Sequence, residues 1–169
     1  NLTYGGILNH FRSEVSKKEL FIHDTFRVSS LNIIKFPVTE KDGICKSRRL
    51  QSKSSYHVYS ALFVYKLIKF LIPKLTSKFT IGIISPYKAQ VGIIDKLVSL
   101  LEVPENIVIN IGTIHGFQGD ECDVMLVVLN PPPTISESPD MFLNNINIIN
   151  VSISRTRDCL FLLVPDGDT

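Results

Sequence analysis

The sequence feature that most constrains the fold is a series of short hydrophobic runs, rich in Ile, Val and Leu, that alternate with longer segments of helical periodicity. Within these runs apolar and polar side chains do not alternate, so the runs indicate strands that are buried on both faces. Such strands are typical of a parallel sheet covered by helices. We therefore predict an α/β fold with a parallel sheet of about five strands and helices on both faces. The predicted strands are Leu31–Val38, Thr80–Ser85, Ile107–Gly112, Asp123–Leu129 and Cys159–Val164.

Two helical patterns connect the first three strands, and each carries an apolar stripe that we expect to pack on the sheet. Ser54 or Ser55 is the predicted cap of the first helix, which ends at about Leu71. The second helix starts near Tyr87, and a third helical stretch, 142–156, precedes the last strand. The expected buried stripes consist of Tyr59, Phe63, Leu67 and Phe70 in the first helix and of Val91, Ile94, Val98 and Leu101 in the second.

Length and composition fit a single domain over residues 1–169, in which residues 1–30 form a less regular lead-in. A chain of 169 residues is long enough to bury a sizeable core without disulfides or metals. Because the chain begins at Asn1 in the middle of a pattern, we expect it to be a fragment of a larger protein.

The net charge of +2 is too small for a protein that binds nucleic acid through overall positive charge, so any such binding must use local patches. The densest basic segment is 46–53, which contains Arg48 and Arg49. This segment is either a solvated loop or a patch that faces phosphate groups.

The three cysteines, Cys45, Cys122 and Cys159, form no C-x-x-C pair and have no histidine at ligand spacing. We expect reduced, mostly buried thiols and no metal site. No apolar run approaches the roughly 20 residues that cross a bilayer, and no signal peptide is visible. The expected location is therefore cytoplasmic, or nuclear in a eukaryote, without a membrane partner.

Polar residues interrupt the hydrophobic pattern at three points. The segment SPYKAQ (85–90) follows the second strand, and TIHGFQGDE (113–121) follows the third. The segment NVSISRTRD (150–158) precedes the last strand. Loops and helix starts beyond the carboxyl ends of parallel strands present free N–H groups, so ligands collect there. The first two segments are therefore candidate binding loops, and the two arginines of the third point to different sides of a helix.

In this order the three segments resemble motifs of the second motor lobe of superfamily 1 helicases, in the branch that contains the nonsense-mediated-decay RNA helicase. Residues 82–90 look like the family's I-(S/T)-P-Y-x-x-Q element. Residues 113–123 look like its motif V, T-x-H-x-F-Q-G-x-E-x-D, and residues 150–157 are similar to its motif VI, N-V-A-(L/I)-(T/S)-R-A-R. Near the start, LNHFRS at 8–13 is similar to the motif that opens this lobe, L-x-x-(H/N)-(F/Y)-R-S.

The resemblance implies a RecA-like fold over about residues 7–165 and a place in an ATPase made of two lobes. Arg155 corresponds to the family's arginine finger, which stabilises the charge that develops on the γ-phosphate. Arg12 corresponds to a second phosphate contact. ATP and Mg²⁺ would be held mainly by a separate N-terminal RecA-like lobe. The other residues expected near the nucleotide are Gly119, Glu121 and Gln118.

Single-stranded DNA or RNA is the other partner that the resemblance implies. Arg157 is expected to support motif VI by pairing with an acid such as Asp158 or Asp123. The sequence contains no G-x-x-x-x-G-K-(S/T) loop, so we expect the chain alone to hydrolyse no ATP. The residues expected to contact the strand are Ser85, Pro86, Tyr87, Gln90, Thr113 and His115.

This sequence departs from the family pattern at several positions. His57 stands where these helicases usually have an asparagine, and Val58 replaces a phosphate-contacting arginine that is often found beside it. Residues 14–15 (EV) replace the H-P that usually follows the arginine of the opening motif. Arg48 and Arg49 are candidates to compensate for the missing arginine.

Two other functions remain open on the sequence. One is a non-catalytic RecA-like module that binds nucleic acid or protein and could lose Arg155 freely. The other is an unrelated α/β enzyme with His115 and either Asp120 or Glu121 as an acid–base pair, although no nucleophile is placed to complete such a site. Because Arg155 and Glu121 are both present, the motor lobe is favoured. The choice between DNA and RNA, the direction of translocation and the oligomeric state stay open.

Overall fold

A five-stranded parallel sheet lies at the centre of the fold in a computed structural model of the chain, and two small antiparallel sheets accompany it. The structure describes residues 21–22, 26–27, 30–75, 77–114, 116–117, 121–131, 133, 150 and 154–166. In chain order the elements are β1 (Phe21–Ile22), β2 (Phe26–Arg27), β3 (Leu31–Phe36), β4 (Ser47–Arg49), β5 (Ser55–His57), α1 (Val58–Leu71), β6 (Phe79–Ser85), α2 (Lys88–Val98), β7 (Ile107–Thr113), β8 (Cys122–Val128) and β9 (Thr156–Pro165).

The large sheet has the strand order β3-β9-β8-β6-β7, and every neighbouring pair is parallel. Its strands coincide with the five predicted hydrophobic runs to within a few residues. The central strands β6 and β8 are buried along almost their whole length, as continuous hydrophobicity predicts. The predicted α/β fold with a RecA-like parallel sheet is confirmed.

Two separate hydrophobic clusters cover the two faces of the sheet. On the first face, α1 and α2 pack against each other and against Ile81 and Ile83 of β6. On the second face, Ile84 packs with Ile114 and Phe117, which follow β7. The helices α1 and α2, and the 3-10 turn Ile72–Lys74 that follows α1, therefore belong to the first face. Most of the predicted third helical stretch, 142–156, lies outside the described residues, while its last residue, Thr156, belongs to β9.

The buried stripe of α1 differs from the predicted one. Phe70 is 44% exposed, with the ammonium of Lys74 lying 4.5 Å from its ring centroid. The other three predicted residues are only partly buried and pack at the margin of the cluster. The small side chain of Ala61 stands on the stripe that is fully buried, which leaves room for close approach of the helix to the sheet. That stripe consists of Ser60, Ala61, Val64, Ile68 and Leu71.

The start of α1 also differs from the prediction, because neither Ser54 nor Ser55 caps it. The cap is His57, whose side chain accepts a hydrogen bond from the backbone N–H of Ser60. Ser54 instead accepts a hydrogen bond from the N–H of Ala89, in the first turn of α2. The predicted capping chemistry is therefore present, but it serves the neighbouring helix.

All three cysteines are free; Cys122 and Cys159 are buried and Cys45 is partly exposed. Burial raises the pKa of the Cys159 thiol to about 12, against the lowering effect of a hydrogen bond from Asn32. Within the described ranges, no helix is both long and apolar enough to span a membrane.

Candidate functional site

The candidate functional residues divide between the two ends of the large sheet. All of its strands are parallel, so it has one amino edge, where strands begin, and one carboxyl edge, where they end. A strand of seven residues such as β6 is roughly 20 Å long, which separates the two edges. The sequence predicts that the polar loops collect at the carboxyl edge, but the structure places only some of them there. The amino edge carries Glu121, Arg155 and Arg157, and the carboxyl edge carries Ser85, Pro86, Tyr87 and Thr113.

Arg157 links motif VI to motif V at the amino edge. Its Nε donates a hydrogen bond to Oε2 of Glu121 over 3.1 Å, and its Nη1 lies 3.8 Å from Oδ1 of Asp123. The hydrogen bond to Glu121 raises the pKa of the guanidinium, which is charged at any ordinary pH. The supporting role predicted for Arg157 therefore involves Asp123, one of the two acids named from the sequence, and more closely Glu121.

Asp123 connects this ion pair to the buried part of the sheet. Its side chain is 3% exposed, and its Oδ2 accepts hydrogen bonds from both the N–H and the hydroxyl of Thr80, each at 2.9 Å. The hydroxyl of Thr80 in turn lies 3.1 Å from the backbone N of Asp123, which donates to it. These contacts join the starts of β6 and β8. The position of Arg157 is thus tied through Asp123 to two central strands.

Arg155 lies directly before β9, next to the same group. Its carbonyl oxygen accepts a hydrogen bond from the N–H of Cys122 over 2.9 Å, so its backbone is adjacent to Glu121. Its Nε is buried and has no hydrogen-bond partner among the described residues. Among the described residues, no carboxylate lies at ion-pair distance from the guanidinium of Arg155. Arg155 is therefore a partly buried cation whose charge is not neutralised by the residues that surround Arg157.

A register shift between β8 and β9 separates the environments of the two arginines. Cys122 pairs with Thr156, whereas Val124, two residues later, pairs with Cys159, three residues later. One extra residue in β9 therefore forms a bulge, a feature that redirects side chains and is frequent beside functional sites.

The carboxyl edge contains the SPYKAQ segment, but only part of it is accessible. Ser85 is fully buried, and its hydroxyl donates a hydrogen bond to Oδ1 of Asn130 over 3.3 Å. Pro86 and Tyr87 are partly exposed at the turn into α2. Burial raises the pKa of the Tyr87 phenol, and the nearby positive charge of Arg49 opposes this rise. Of the predicted contacts Ser85, Pro86 and Tyr87, the last two are thus accessible.

Gln90 has a structural role that differs from the expected strand contact. It is fully buried, and its Oε1 accepts a hydrogen bond from the N–H of His57 over 2.7 Å. Its Nε2 donates to Oγ of Ser60 at 3.0 Å and to the carbonyl oxygen of His57 at 3.3 Å. The amide of Gln90 thus joins α2 to the start of α1. Because its oxygen and its NH₂ group have partners inside the protein, it is not available to contact a nucleic-acid strand.

His57 completes this buried cluster, which the sequence did not indicate as a unit. Its Nδ1 accepts from the N–H of Ser60, and its Nε2 donates to the carbonyl oxygen of Cys45 over 2.9 Å. Histidine is not among the residues that are preferred at helix N-caps, so the sequence offered no local signal for this cap. Gln90 is distant in sequence, and nothing local marks it as their partner.

Thr113 ends β7 and starts a tight turn. Its carbonyl oxygen accepts hydrogen bonds from the N–H groups of Gly116 and Phe117, both at 2.9 Å, and its hydroxyl accepts from Gly116 at 3.3 Å. The turn positions Phe117 and Ile114 in the second hydrophobic cluster. The predicted site residues Arg12, His115, Gln118 and Gly119 lie outside the described residues, as does Asp120.

Comparison with known proteins gives one family and several relatives. A family model described as an AAA domain matches residues 1–166. A probable helicase of Dictyostelium discoideum is 31% identical over 104 residues, which are 61% of this chain and 10% of that protein. The probable helicase MAGATAMA 3 of Arabidopsis thaliana is 31% identical over 106 residues, 60% of this chain and 12% of that protein.

A viral protein is also similar to part of the chain. The replicase polyprotein 1ab of Alphamesonivirus 1 is 34% identical over 89 residues, which are 53% of this chain and 2% of the polyprotein. The chain thus matches at most 12% of the length of each of these relatives.

Proposed function

The chain belongs to the AAA-domain family, in the form typical of the C-terminal region of superfamily 1 helicases, and we propose that it is the second motor lobe of an ATP-dependent helicase. Helicases of this kind generally use ATP and Mg²⁺ and bind nucleic acid. In the proposal, Arg155 contacts the nucleotide from this lobe. An N-terminal RecA-like lobe provides most of the other nucleotide contacts and those to Mg²⁺.

The observation that carries the proposal is the different environment of the two arginines at the amino edge. Arg157 is neutralised by Glu121 at 3.1 Å, whereas Arg155 has no carboxylate at ion-pair distance among the described residues. A partly buried guanidinium without an internal counter-charge is destabilised by desolvation unless an anion approaches it. A phosphate held by a second lobe is an anion of suitable geometry, since the planar guanidinium matches phosphate oxygens.

Bound ATP supplies the γ-phosphoryl group that is transferred to water. Arg155 contributes positive charge where negative charge develops on that group, and its fixed position avoids reorganisation during the step. Arg157 contributes indirectly, because it pairs with Glu121 and Asp123, the two neighbours of Cys122, whose N–H binds the carbonyl oxygen of Arg155. Arg155 is therefore the proposed catalytic residue of this lobe, and Arg157 is a positioning residue.

The carboxyl edge of the sheet is the proposed binding side for single-stranded nucleic acid. Thr113, Pro86 and Tyr87 are the accessible residues there that were predicted to contact a strand, and the start of α2 lies beside them. Contacts from hydroxyl groups and helix N–H groups to phosphates fix a strand without reading its bases.

The test is ATP hydrolysis by the helicase that contains this chain, with single-stranded nucleic acid present. We expect Arg155→Lys to lower the turnover rate by about a thousandfold, because arginine fingers contribute on the order of 10³ or more. Binding of a fluorescent ATP analogue should remain close to that of the wild type, since most nucleotide contacts belong to the other lobe.

Lys96→Gln is the control, because Lys96 is exposed near the end of α2. It should leave turnover unchanged. Normal turnover in Arg155→Lys would contradict the proposal and favour a lobe that only binds nucleic acid.

The 169-residue chain alone should show no ATP hydrolysis. Steady hydrolysis by this chain, abolished by Arg155→Ala, would contradict the assignment of the nucleotide contacts to a second lobe.

A further inference from the structure

The β4–β5 hairpin and the loop before it form a positively charged region next to the start of α2. Residues 40–54 contain five basic and two acidic side chains, although the whole chain has a net charge of only +2. Lys88, exposed at the first position of α2, lies next to the Tyr87 turn. Residues 40–54 therefore carry a net charge of +3, five positive minus two negative charges, and with Lys88 beside them they form a described region that attracts an anionic polymer.

The hairpin is fixed to the start of α2 by hydrogen bonds. The hydroxyl of Ser54 accepts from the N–H of Ala89 at 2.9 Å, and the N–H of His57 donates to Gln90 at 2.7 Å. Ser47 and Ser55 are buried on the same hairpin. The basic side chains are therefore carried by an ordered element with a set position relative to the Tyr87 turn, as a preorganised binding surface requires.

Arg48 and Arg49 point to different surroundings. In the hairpin register Arg48 pairs with Tyr56 and Arg49 with Ser55, so the two arginines stand on opposite faces. Arg48 Nη2 lies 3.7 Å from Asp42 Oδ1, which partly neutralises it. Arg49 is exposed, has no ion-pair partner among the described residues, and lies close enough to Tyr87 for its charge to act on the phenol.

Lys53, in the turn of the hairpin, has an unusual backbone conformation. Its φ is +62°, in the left-handed region that glycine and asparagine adopt more readily than lysine. Its N–H donates to the carbonyl oxygen of Leu50 at 2.9 Å, so the conformation belongs to a defined turn. A lysine at such a position reduces stability and adds a charge at the tip, a combination that is frequent at binding sites.

We propose that this hairpin is a second contact surface for the single strand, in which Arg49 binds a backbone phosphate next to the Tyr87 turn and Lys53 contacts the strand farther along. The inference rests on the proposed function, because it extends the same strand-binding edge. Phosphate is the favoured ligand because the guanidinium of Arg49 has no ion-pair partner among the described residues and its hairpin is hydrogen-bonded to the helix start that follows Tyr87. A cation near an aromatic side chain is a combination that single strands use.

The experiment measures binding of fluorescein-labelled oligothymidylate and oligouridylate to this chain by fluorescence anisotropy, over about 50 to 200 mM salt. For Arg49→Gln we expect the slope of log K against log salt to fall by about 0.7, the value for one phosphate contact on a single strand, and the affinity at about 0.1 M salt to fall roughly fivefold. Arg48→Gln is the matched control and should stay within about twofold of the wild type, with an unchanged slope.

Lys53→Gly provides a second, independent variant. It should weaken strand binding and raise the midpoint of thermal unfolding, since glycine adopts the left-handed conformation without strain. A lysine with only a structural role in the turn would leave the affinity unchanged. Thermal unfolding of every variant verifies that the fold is intact.

Three results would overturn the hairpin proposal in distinguishable ways. Equal effects of Arg49→Gln and Arg48→Gln would assign the effect to general charge. A loss of affinity in Thr113→Val but none in Arg49→Gln would reject the hairpin and leave the proposed function in place. If Arg49→Gln weakens binding of an oligoglutamate and not of the oligonucleotides, the surface binds an acidic protein segment. An absence of strand binding by the wild-type chain at low salt would count against the strand-binding part of the proposed function itself.

Discussion

His57 is a buried histidine whose two ring nitrogens both have hydrogen-bond partners inside the protein. Nδ1 accepts from Ser60 and Nε2 donates to Cys45, so the neutral tautomer is the form that satisfies both. Burial lowers the pKa of the ring, and the hydrogen bond to Cys45 opposes this lowering. The ring also lies 5.0 Å from that of Phe36, measured between centroids. Protonation of His57 would therefore break a helix cap within an apolar environment.

The stability of the fold should consequently decrease in mild acid. In the unfolded chain His57 has a pKa of about 6.5, and in the folded chain its pKa is lower, so the unfolded state takes up the proton first as the pH falls. Stability is retained above about pH 6.5 and is lost from there down to the folded-state pKa. We expect the urea midpoint to be lower at about pH 5.5 than at about pH 7.5.

His57→Asn is the matched variant for this prediction, because asparagine is a good helix cap and does not titrate. In this variant the difference between the two urea midpoints should shrink. If it stays as large as in the wild type, other groups cause the loss of stability and the argument from His57 is wrong.

At the residue scale, the sequence indicated which residues are candidates for the site better than it indicated their hydrogen-bond and ion-pair partners. Arg155 and Arg157 were expected on different sides of a helix, but Arg157 lies in β9 and Arg155 directly before it. Their different surroundings accompany the bulge between β8 and β9, not helical spacing. Glu121 was not predicted as the closest partner of Arg157, because the pairing depends on the bulge in β9, which no local pattern reveals. Gln90 was expected to contact the nucleic-acid strand, because the family motif contains it. Its observed contacts instead involve the start of α1, which lies more than thirty residues earlier in the chain.

At the scale of elements, the five long strands were predictable because burial on both faces requires continuous hydrophobicity, which is visible in any window of the sequence. The β4–β5 hairpin was not predictable in this way. Its strands have only three residues each and contain serine, arginine and histidine, and β5 packs against α2. The buried stripe of α1 was assigned to the wrong residues because the prediction followed the large aromatic side chains. The small side chain of Ala61 lies on the stripe that is fully buried.

Gly82 is required by the packing between β6 and β8 on the second face of the sheet. A β-carbon at this position would lie 2.8 Å from both Sδ and Cε of Met125 and 2.9 Å from Sγ of Cys122. The Met125 side chain can move, but the short Cys122 side chain has little freedom. We expect Gly82→Ala to lower the free energy of unfolding by about 1–3 kcal/mol, measured by urea denaturation.

Gly92→Ala is the natural control, since a β-carbon at Gly92 meets no atom within 4 Å and the residue lies within α2. Alanine should raise the free energy of unfolding there by roughly 0.5–1 kcal/mol, because glycine is a poor helix former. If Gly82→Ala were also neutral or stabilising, the close packing described for β6 and β8 would be incorrect.

At the scale of the whole molecule, the separation of the two edges makes their functions experimentally separable. Thr113 lies at the carboxyl edge and Arg155 at the amino edge, at opposite ends of strands that are roughly 20 Å long. In the isolated chain we expect Thr113→Val to weaken single-strand binding by about tenfold, the effect of losing one hydrogen bond to a charged group.

Arg155→Lys should leave the same binding constant within about twofold, since it acts on the other edge and a lysine keeps the charge. Fluorescence anisotropy with a labelled oligonucleotide measures both variants. A large loss of strand affinity in Arg155→Lys would mean that the strand reaches the amino edge, and the assignment of one ligand to each edge would then fail.

If the chain is the proposed motor lobe, the anchoring of Ile114 and Phe117 in the second hydrophobic cluster affects how nucleotide binding and nucleic-acid binding are coupled. In the sequence these side chains stand between Thr113 at the carboxyl edge and Glu121 at the amino edge, and both are packed in the cluster, which resists their displacement. Close-packed protein interiors do not deform gradually; they change between a small number of distinct packings. We therefore expect the lobe to respond to its ligands in discrete steps, which is the behaviour that a stepping motor needs from its moving part.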